Sequence, residues 1–276
     1  MREWKDALKE HKQAILDKGY KEEQLLGIFL YGSQNYGCAT ENSDIDTKAI
    51  YVPSFEELCF NNPLSKEIHT ENGEHCEIKD IREMVKNFQK QNINFLEILF
   101  TNKCWVNARF RDLWDKYFYR HREEIAHYNP KKMLDSICGQ AIHTLKQIPL
   151  HKDGKLYFND TLVANTIGVT DISCGKKYAN GLRLSYFLDS CIFAEESFET
   201  SIKPDEEYLK LIMDYKNGKM LVTPLAVEIL LKHFEEMKEK ATKKSSILAG
   251  AVDETAALMQ EGAMKLIEEV IYDKKL

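Results

Sequence analysis

One stretch, Gly27 to Val52, constrains the fold of this chain more than any other. It reads GIFLYGSQNYGCATENSDIDTKAIYV. The apolar run Leu25 to Tyr31 predicts a strand buried on both faces, and Gly32-Ser33 predicts the tight turn that ends it. After a small, polar connector, Asp44 to Val52 predicts a second strand. Leaving the first strand by this turn and re-entering at Asp44 would place the turn and the acids on one edge of a sheet.

The second strand carries two carboxylates with a predicted common direction. Asp44 and Asp46 are two positions apart, so their side chains project from the same face of a strand. Two such carboxylates repel each other unless a cation lies between them. Mg²⁺ prefers a few carboxylates together with phosphate oxygens and water. The pair therefore predicts a site for Mg²⁺ or Mn²⁺ that holds a nucleoside triphosphate such as ATP.

The turn before this strand has features of a phosphate site. Gly32 has no Cβ and lets the backbone approach a phosphate closely, and the Ser33 hydroxyl can donate to a phosphate oxygen. Either motif alone has a simpler interpretation: an ordinary turn, or an Asp-x-Asp on a solvated face. The combination favours function, because a buried strand, Gly-Ser, an eleven-position step to Asp44 and an apolar strand follow one another.

The segment GSQNYGCATENSDID resembles the signature of the polymerase-beta-type nucleotidyltransferase superfamily. Its form is most similar to the predicted nucleotidyltransferases that include the RNA-ligase-associated group. Two later segments also resemble that group: DIREMVKNFQKQNINFLEILF, from Asp80 to Phe100, and GKKYANGLRL, from Gly175 to Leu184. The chain departs from the family pattern at Gln34, at Asn92-Ile93-Asn94, which lacks the usual proline, and at Asn180.

The resemblance implies transfer of a nucleoside monophosphate from a triphosphate to an acceptor hydroxyl, with release of pyrophosphate. It also implies a third catalytic carboxylate from a neighbouring strand, for which there are two candidates. Glu77 lies mid-strand between apolar residues, and its alternative role is a solvent-facing strand residue. Asp80 aligns better with the family segment and would join Asp44 and Asp46 as a metal ligand, but is also a plausible helix N-cap.

A later helix supplies candidate nucleotide ligands, namely Lys176, Lys177, Tyr178 and Arg183. Lys176 and Arg183 are seven positions apart and share a helical face. They are expected to bind triphosphate or ribose, and the alternative is an ordinary amphipathic helix. The basic and aromatic run Tyr117 to Arg122 could stack on RNA, but an amphipathic helix is the favoured interpretation.

Composition limits the possible partners and location. The net charge of -6 argues against a broad, non-specific grip on nucleic acid, but allows a local basic groove. Seven cysteines without a CxxC pair fit reduced thiols in a cytoplasm-like compartment. Cys76 beside His75 is a weak zinc signal, since no second pair stands at ligand spacing. The charged N-terminus is unlike a signal peptide, and no apolar run reaches the roughly 20 residues of a membrane span.

The predicted fold class is α/β (α+β), with a small mixed β-sheet core and flanking helices followed by an α-helical C-terminal half. We expect a third main strand from Glu74 to Lys79 and a helix from about Asp80, with a soft boundary between a catalytic core at 1–103 and a helical domain at 104–276. After Trp105 the chain is expected to be almost entirely helical, and 150–175 less regular.

Three acceptors fit these expectations: an RNA end, as the RNA-ligase-associated resemblance implies; a protein hydroxyl, as in toxin-antitoxin nucleotidyltransferases; and a small molecule. A rival from another class is a nucleotide- or RNA-binding module that keeps the fold without catalysis.

Overall fold

The computed structural model describes residues 3–40, 43–61, 63–70, 72–152, 155–158, 161–164, 172–243 and 252–272. Its contacts divide the chain into two units, and each is described separately. The first contains residues up to 129 together with the last helix, Val252–Ile271. The second runs from Pro130 to the end of the helix Pro224–Lys243. None of the described helices has the length and apolar character that crossing a membrane requires.

The first unit is built on a five-stranded mixed sheet, which confirms the predicted fold class. Its strands are β1 (Leu25–Tyr31), β2 (Asp46–Tyr51), β3 (Ser65–His69), β4 (His75–Asp80) and β5 (Cys104–Val106), in the order β3-β4-β2-β1-β5. Strands β2 and β4 are parallel, and the other pairs are antiparallel. The strands of the opening stretch, β1 and β2, are neighbours inside the sheet, with β2 at its centre, and nearly all of their residues are buried.

Helices flank this sheet. They are α1 (Trp4–Asp17), α2 (Phe55–Phe60), α3 (Ile81–Gln89), α4 (Ile93–Leu96), α5 (Arg111–Trp114) and α6 (Arg122–Ala126), with a π-helical turn at Asp115–Tyr119 and the last helix of the chain. Local signals set their ends. Ser54 and Glu57 form a capping box at the start of α2, and Gly19, with φ +88°, follows α1.

The two faces of the sheet differ in chemistry. Leu8 and Ile15 of α1 pack in one cluster with buried apolar residues that include Ile28, Ala49 and Ile78. On the opposite face Lys48 and Glu77 are paired in register on β2 and β4. Since side chains alternate along a strand, Asp46 shares that second face with Lys48. Asp46, Lys48 and Glu77 thus lie on the face away from α1, whereas the α1 side buries a different polar contact, between Nδ1 of His11 and the Thr47 hydroxyl at 2.6 Å.

The second unit contains a helical bundle and a small sheet. Its helices are α7 (Pro130–Lys146), α8 (Ile172–Leu188), α9 (Phe198–Ser201), α10 (Glu206–Lys216) and α11 (Pro224–Lys243), with a π-helical turn at Asp189–Phe193; the last helix of the chain, Val252–Ile271, is α12. Strands β6 (Leu150–Lys152), β7 (Lys155–Phe158) and β8 (Thr161–Ala164) form an antiparallel sheet. The helical C-terminal half is confirmed, and these three strands lie within 150–175, the segment expected to be less regular. They were not predicted as strands, because strands this short carry too few residues for an alternating pattern to show.

The division between the units differs from the expected one. Strands of the main sheet do give way to helices close to residue 103, after which only β5 is added. The contacts nevertheless keep residues 104–129 with the sheet and return α12 to the first unit. One reason is visible in the packing of Gly262 in α12, where a Cβ would overlap side-chain atoms of Tyr117 and Phe118. Such a close approach cannot be read from the pattern of either segment alone.

Candidate active site

The Gly-Ser turn and Asp46 lie side by side at one edge of the sheet. Tyr31, the last residue of β1, is the ladder partner of Asp46, the first residue of β2. Gly32 follows directly with φ +81°, a conformation that glycine adopts without strain. A Cβ on Gly32 would be 3.7 Å from Oδ2 of Asp46. The structure therefore brings together two of the elements that the sequence predicts for the site.

A buried carboxylate, Glu97, holds the turn. Its Oε2 accepts a hydrogen bond from the backbone N–H of Gly32 at 3.0 Å, and its Oε1 accepts one from the Tyr36 hydroxyl at 2.7 Å. Glu97 is fully buried, so these bonds offset part of the cost of burying its charge. Sequence analysis did not assign Glu97 a role. The signal was a lone acid within the apolar run from Phe95 to Leu99.

Further bonds fix the same turn. The side chain of Asn35 donates to the carbonyl of Leu30 at 2.9 Å and accepts from the Thr101 hydroxyl at 2.9 Å. Lys103 donates to the carbonyl of Gln34 at 3.1 Å. The turn is a single 3₁₀ turn, Gly32–Gln34, rather than the start of a longer helix. The Ser33 hydroxyl makes no hydrogen bond to a described residue, so it is available to a ligand.

The two predicted metal ligands differ in their surroundings. Strand β2 begins at Asp46, so Asp44 lies just before the strand and is exposed, whereas Asp46 is half-buried. The Ser43 hydroxyl, which accepts from the N–H of Thr40 at 2.8 Å, braces the connector next to Asp44. Burial raises the pKa of Asp46, and the nearby Asp44 carboxylate raises it further while His75 opposes the rise. The balance disfavours the ionised form of Asp46, and a bound cation would stabilise that form.

His75 is a neighbour of this site that sequence analysis did not assign. Its Nδ1 lies 3.6 Å from Oδ1 of Asp46 and 3.5 Å from the Tyr31 hydroxyl, and its Nε2 lies 3.7 Å from Oε1 of Glu67. The signal available in the sequence was its place at the start of the third strand. Cys76 follows it on the strand and therefore points to the opposite face, so the two do not form a zinc-binding pair.

Glu77 lies on the same face as Asp46 but is engaged by two lysines. The Lys48 ammonium is bonded to its Oε2, and the Lys79 ammonium lies 2.7 Å from its Oε1. Lys48 is almost fully buried and its Nζ lies 3.8 Å from the centre of the Tyr31 ring. Burial alone would raise the pKa of Glu77, but Lys48 and Lys79 outweigh it and hold that pKa below its usual range. Glu77 is therefore ionised at neutral pH.

Asp80 is not brought together with Asp46. It pairs in register with Tyr51 at the far end of β2, which is about 16 Å from Asp46 at the usual rise of a strand. It is buried and caps α3, accepting the backbone N–H of Arg82 at 2.7 Å. The Arg82 guanidinium also donates to both of its oxygens, at 2.9 and 2.6 Å. The geometry matches the alternative role, a helix N-cap, and not that of a third acid beside Asp44 and Asp46.

The carboxylates at this edge of the sheet fit a metal site that a substrate completes better than a site built from protein ligands alone. Among the described residues, no three His, Cys, Asp or Glu side chains are grouped to hold a metal ion. Asp44 and Asp46 do lie close enough for one to shift the pKa of the other. Mg²⁺ is commonly held by one or two carboxylates and completed by substrate phosphates and water. The residues therefore fit a cation held by two carboxylates and a triphosphate, and do not fit an all-protein cage.

The predicted nucleotide ligands on α8 belong to the second unit and have mixed environments. Tyr178 is buried, its hydroxyl donating to the carbonyl of Ala226 at 3.4 Å. Arg183 is also buried and donates to Oδ1 of Asn180 at 3.0 Å. Lys177 donates to the carbonyl of Gln147 at 3.1 Å, and Lys176 is exposed. Of the four, only Lys176 has the exposure and freedom expected of a group that reaches for phosphate.

The basic and aromatic run from Tyr117 to Arg122 has the features of an amphipathic segment, which was the favoured interpretation. Tyr117 and Phe118 are buried, and Arg120 forms an ion pair with Asp115 at 2.6 Å. An amphipathic segment packed on its unit accounts for these residues.

Comparison with known proteins adds nothing to these observations. No model of a known protein family matches the chain, and a search of curated proteins finds no significant relative. The functional assignment therefore depends on the motifs and on the geometry of the Gly-Ser turn and its acids.

Proposed function

We propose that this protein is a nucleotidyltransferase that moves a nucleoside monophosphate from a nucleoside triphosphate to an acceptor hydroxyl and releases pyrophosphate. The observation that carries the proposal is the contact between the Gly32 turn and the half-buried Asp46, with Asp44 beside it. The glycine turn and the Asp44–Asp46 pair lie together at one sheet edge, and a triphosphate bound through a divalent cation would engage both of them.

The chain's own residues have distinct roles in this proposal. Asp44 and Asp46 would hold Mg²⁺, and the ion would supply positive charge next to the transferred phosphoryl group. Gly32 keeps the backbone open to the triphosphate, and the Ser33 hydroxyl donates to one of its oxygens. Glu97 positions the turn through the Gly32 N–H. The acceptor oxygen forms a bond to the α-phosphorus as the bond to the β-phosphate oxygen breaks and pyrophosphate leaves.

Activation of the acceptor falls to Glu77 in this proposal. It is the remaining predicted carboxylate on the face of Asp46, and Lys48 and Lys79 keep it ionised. To accept the hydroxyl proton, one of its oxygens must exchange a lysine for the acceptor. Asp80, at the other end of β2, takes no part.

A second function is favoured by one specific observation. Each candidate for the third acid is paired with basic side chains, Glu77 with two lysines and Asp80 with Arg82. A nucleotide-binding module without catalysis needs the turn and the Asp44–Asp46 pair but no acceptor-activating acid. This alternative predicts Mg²⁺-dependent nucleotide binding without turnover.

One experiment separates the two functions. The protein is incubated with each of four α-labelled nucleoside triphosphates and Mg²⁺, in parallel with total RNA, cell protein and a metabolite extract. Transfer of label with release of pyrophosphate is expected in one pool, with an RNA end proposed first from the sequence resemblance. The variant carrying both Asp44→Asn and Asp46→Asn should lose it, and equal transfer by that variant rejects the assignment. Nucleotide binding without label in any pool supports the binding module.

A further inference from the structure

A cavity lies at the opposite end of β2 from the Gly-Ser turn. It has a volume of about 460 Å³ and is lined by residues from the ends of β2, β3 and β4 and from the segments beside them, among them Tyr20, Tyr51, Lys66 and Arg82. This volume is in the range of small-molecule sites, roughly 300–1,000 Å³. The proposed transfer reaction makes no use of it.

The acidic groups at this cavity are already satisfied within the chain. Glu57 accepts from the N–H of Ser54 at 2.7 Å, from the side chain of Gln24 at 2.8 Å and from the Tyr51 hydroxyl at 3.3 Å. Asp80 is fully engaged by Arg82, as described above. Neither carboxylate has its acceptor capacity directed at a ligand.

The basic and hydroxyl groups at the cavity, in contrast, have donors that are not used within the chain. Nε and Nη2 of Arg82 donate to Asp80, but Nη1 has no hydrogen bond to a described residue. The Lys66 ammonium and the Tyr20 hydroxyl likewise have no hydrogen-bond partner among the described residues. The cavity therefore presents three donors without a partner among the described residues, two of them on charged groups, beside the two carboxylates that are already hydrogen-bonded within the chain. Groups of this kind recognise a carboxylate or a phosphate.

An aromatic and apolar wall completes the cavity. The rings of Tyr20 and Tyr51 meet edge to face, with centroids 5.5 Å apart and planes at 70°. Pro53, Pro63 and Leu64 also line it. Such a wall suits a planar, apolar group, and the donors beside it suit an anion.

We propose that this cavity is a second ligand site, which binds a small organic anion consisting of an aromatic or otherwise planar group bearing a carboxylate or phosphate. The site is independent of the proposed nucleotide transfer, since it lies at the other end of the sheet and shares no residue with the Gly-Ser turn.

The test is calorimetric titration of the full chain with phenyl phosphate and with benzoate, and with benzylamine and benzyl alcohol as cationic and neutral probes of similar shape. Saturable binding is expected for one or both anions, and none for the amine or the alcohol. The variant Lys66→Gln should weaken anion binding about fivefold to tenfold, through loss of a charge-assisted hydrogen bond at a partly solvated position. Lys66 is an exposed edge-strand residue, so the fold should tolerate the change.

The matched control is Lys90→Gln, which removes the same charge from an exposed residue of the first unit outside the cavity lining. It should bind both anions as the wild type does. Comparison of the two anions decides whether the site prefers phosphate or carboxylate. Binding of phenyl phosphate at the Gly-Ser turn, the other place with a predicted phosphate donor, is tested by Ser33→Ala, which would weaken that binding. The proposal is overturned if Ser33→Ala weakens binding while Lys66→Gln does not, if benzylamine binds as tightly as the anions, or if neither anion binds at millimolar concentration.

Discussion

Gly32 and Asp46 are held side by side by the ladder that joins β1 to β2, with 3.7 Å between Oδ2 of Asp46 and the position that a Cβ on Gly32 would take. The register pairs Tyr31 with Asp46, so the turn that follows Tyr31 begins next to the Asp46 carboxylate. A change that moves the turn therefore also changes the distance between the proposed triphosphate site and the proposed metal ligand.

Replacing Gly32 by alanine is expected to lower the affinity for nucleotide, whereas the same replacement at Gly73 is not, although both should lower the free energy of unfolding to a similar extent. The left-handed φ of +81° costs alanine about 1 kcal/mol, and the strain is relieved most easily by moving the turn. Gly73→Ala is the matched control, since Gly73 has φ +76° with open space around it. Urea unfolding should show similar losses for both variants. Equal nucleotide affinities in the two variants would count against a role for the turn.

Changing Glu97 to glutamine is expected to destabilise the first unit by about 1–3 kcal/mol, because an amide accepts less strongly and presents donors where the turn also donates. Tyr36→Phe removes only one of the two bonds and should cost about 1 kcal/mol. All three tryptophans, Trp4, Trp105 and Trp114, lie in the first unit, so tryptophan fluorescence during urea unfolding measures both losses. Equal effects of the two changes would show that Glu97 does not act through the Gly32 N–H.

The buried pair of Lys48 and Glu77 should respond unequally to the loss of either partner. Glu77→Gln leaves the buried Lys48 ammonium without its counter-charge and is expected to cost about 3 kcal/mol. Lys48→Met leaves Glu77 with Lys79 and keeps apolar contact with the Tyr31 ring, so about 1 kcal/mol is expected. Urea unfolding of both variants and of the double variant measures the coupling. A larger loss in Lys48→Met would contradict this account of the pair.

The same pair predicts how stability depends on pH. The folded-state pKa of Glu77 is lowered, so its contribution is present above its unfolded pKa of about 4.3 and is lost as the pH falls through the folded value. The difference in free energy of unfolding between wild type and Glu77→Gln should therefore be largest near neutral pH and shrink below about pH 5. Glu56→Gln, at an exposed position of α2, is the control and should show no such convergence. A gap that widens in acid would reverse the sign and refute the prediction.

Two helical glycines of the second unit should respond in opposite directions to alanine. A Cβ on Gly175 in α8 would overlap the backbone carbonyl of Tyr215 in α10, so Gly175→Ala is expected to destabilise by about 1–3 kcal/mol. Gly139 in α7 has open space around it, and Gly139→Ala should stabilise by about 0.5–1 kcal/mol through helix propensity. Circular dichroism at 222 nm during urea unfolding follows both, since this unit has no tryptophan. A neutral Gly175→Ala would mean that α8 and α10 can separate at no cost.

Local chemistry made much of the site predictable from the sequence. The apolar run of β1, the Gly-Ser turn and the acid that opens β2 lie within one short stretch of chain, so strand period and turn chemistry placed them without knowledge of the fold. Asp44 was expected on the strand, and the ladder instead begins at Asp46. The error concerns the first residue of the strand, which is set by backbone pairing with β1 rather than by the side-chain pattern.

Partners distant in the chain were decided only by tertiary structure. Both Glu77 and Asp80 were compatible with a third acid, and the parallel register of β2 with β4 separates them: one shares the face of Asp46, the other lies at the far end of the strand. Glu97 reaches the Gly32 turn across 65 positions.

The sequence by itself thus determined the strand, the turn and the first two acids of the candidate site, Asp44 and Asp46, because these residues lie within one short stretch of chain. Only the tertiary structure decided which carboxylates stand free and which are neutralised, because Lys48, Lys79 and Arg82 meet their partners through strand register and side-chain direction. Electrostatic pairing depends on distance in space, which a linear pattern does not contain.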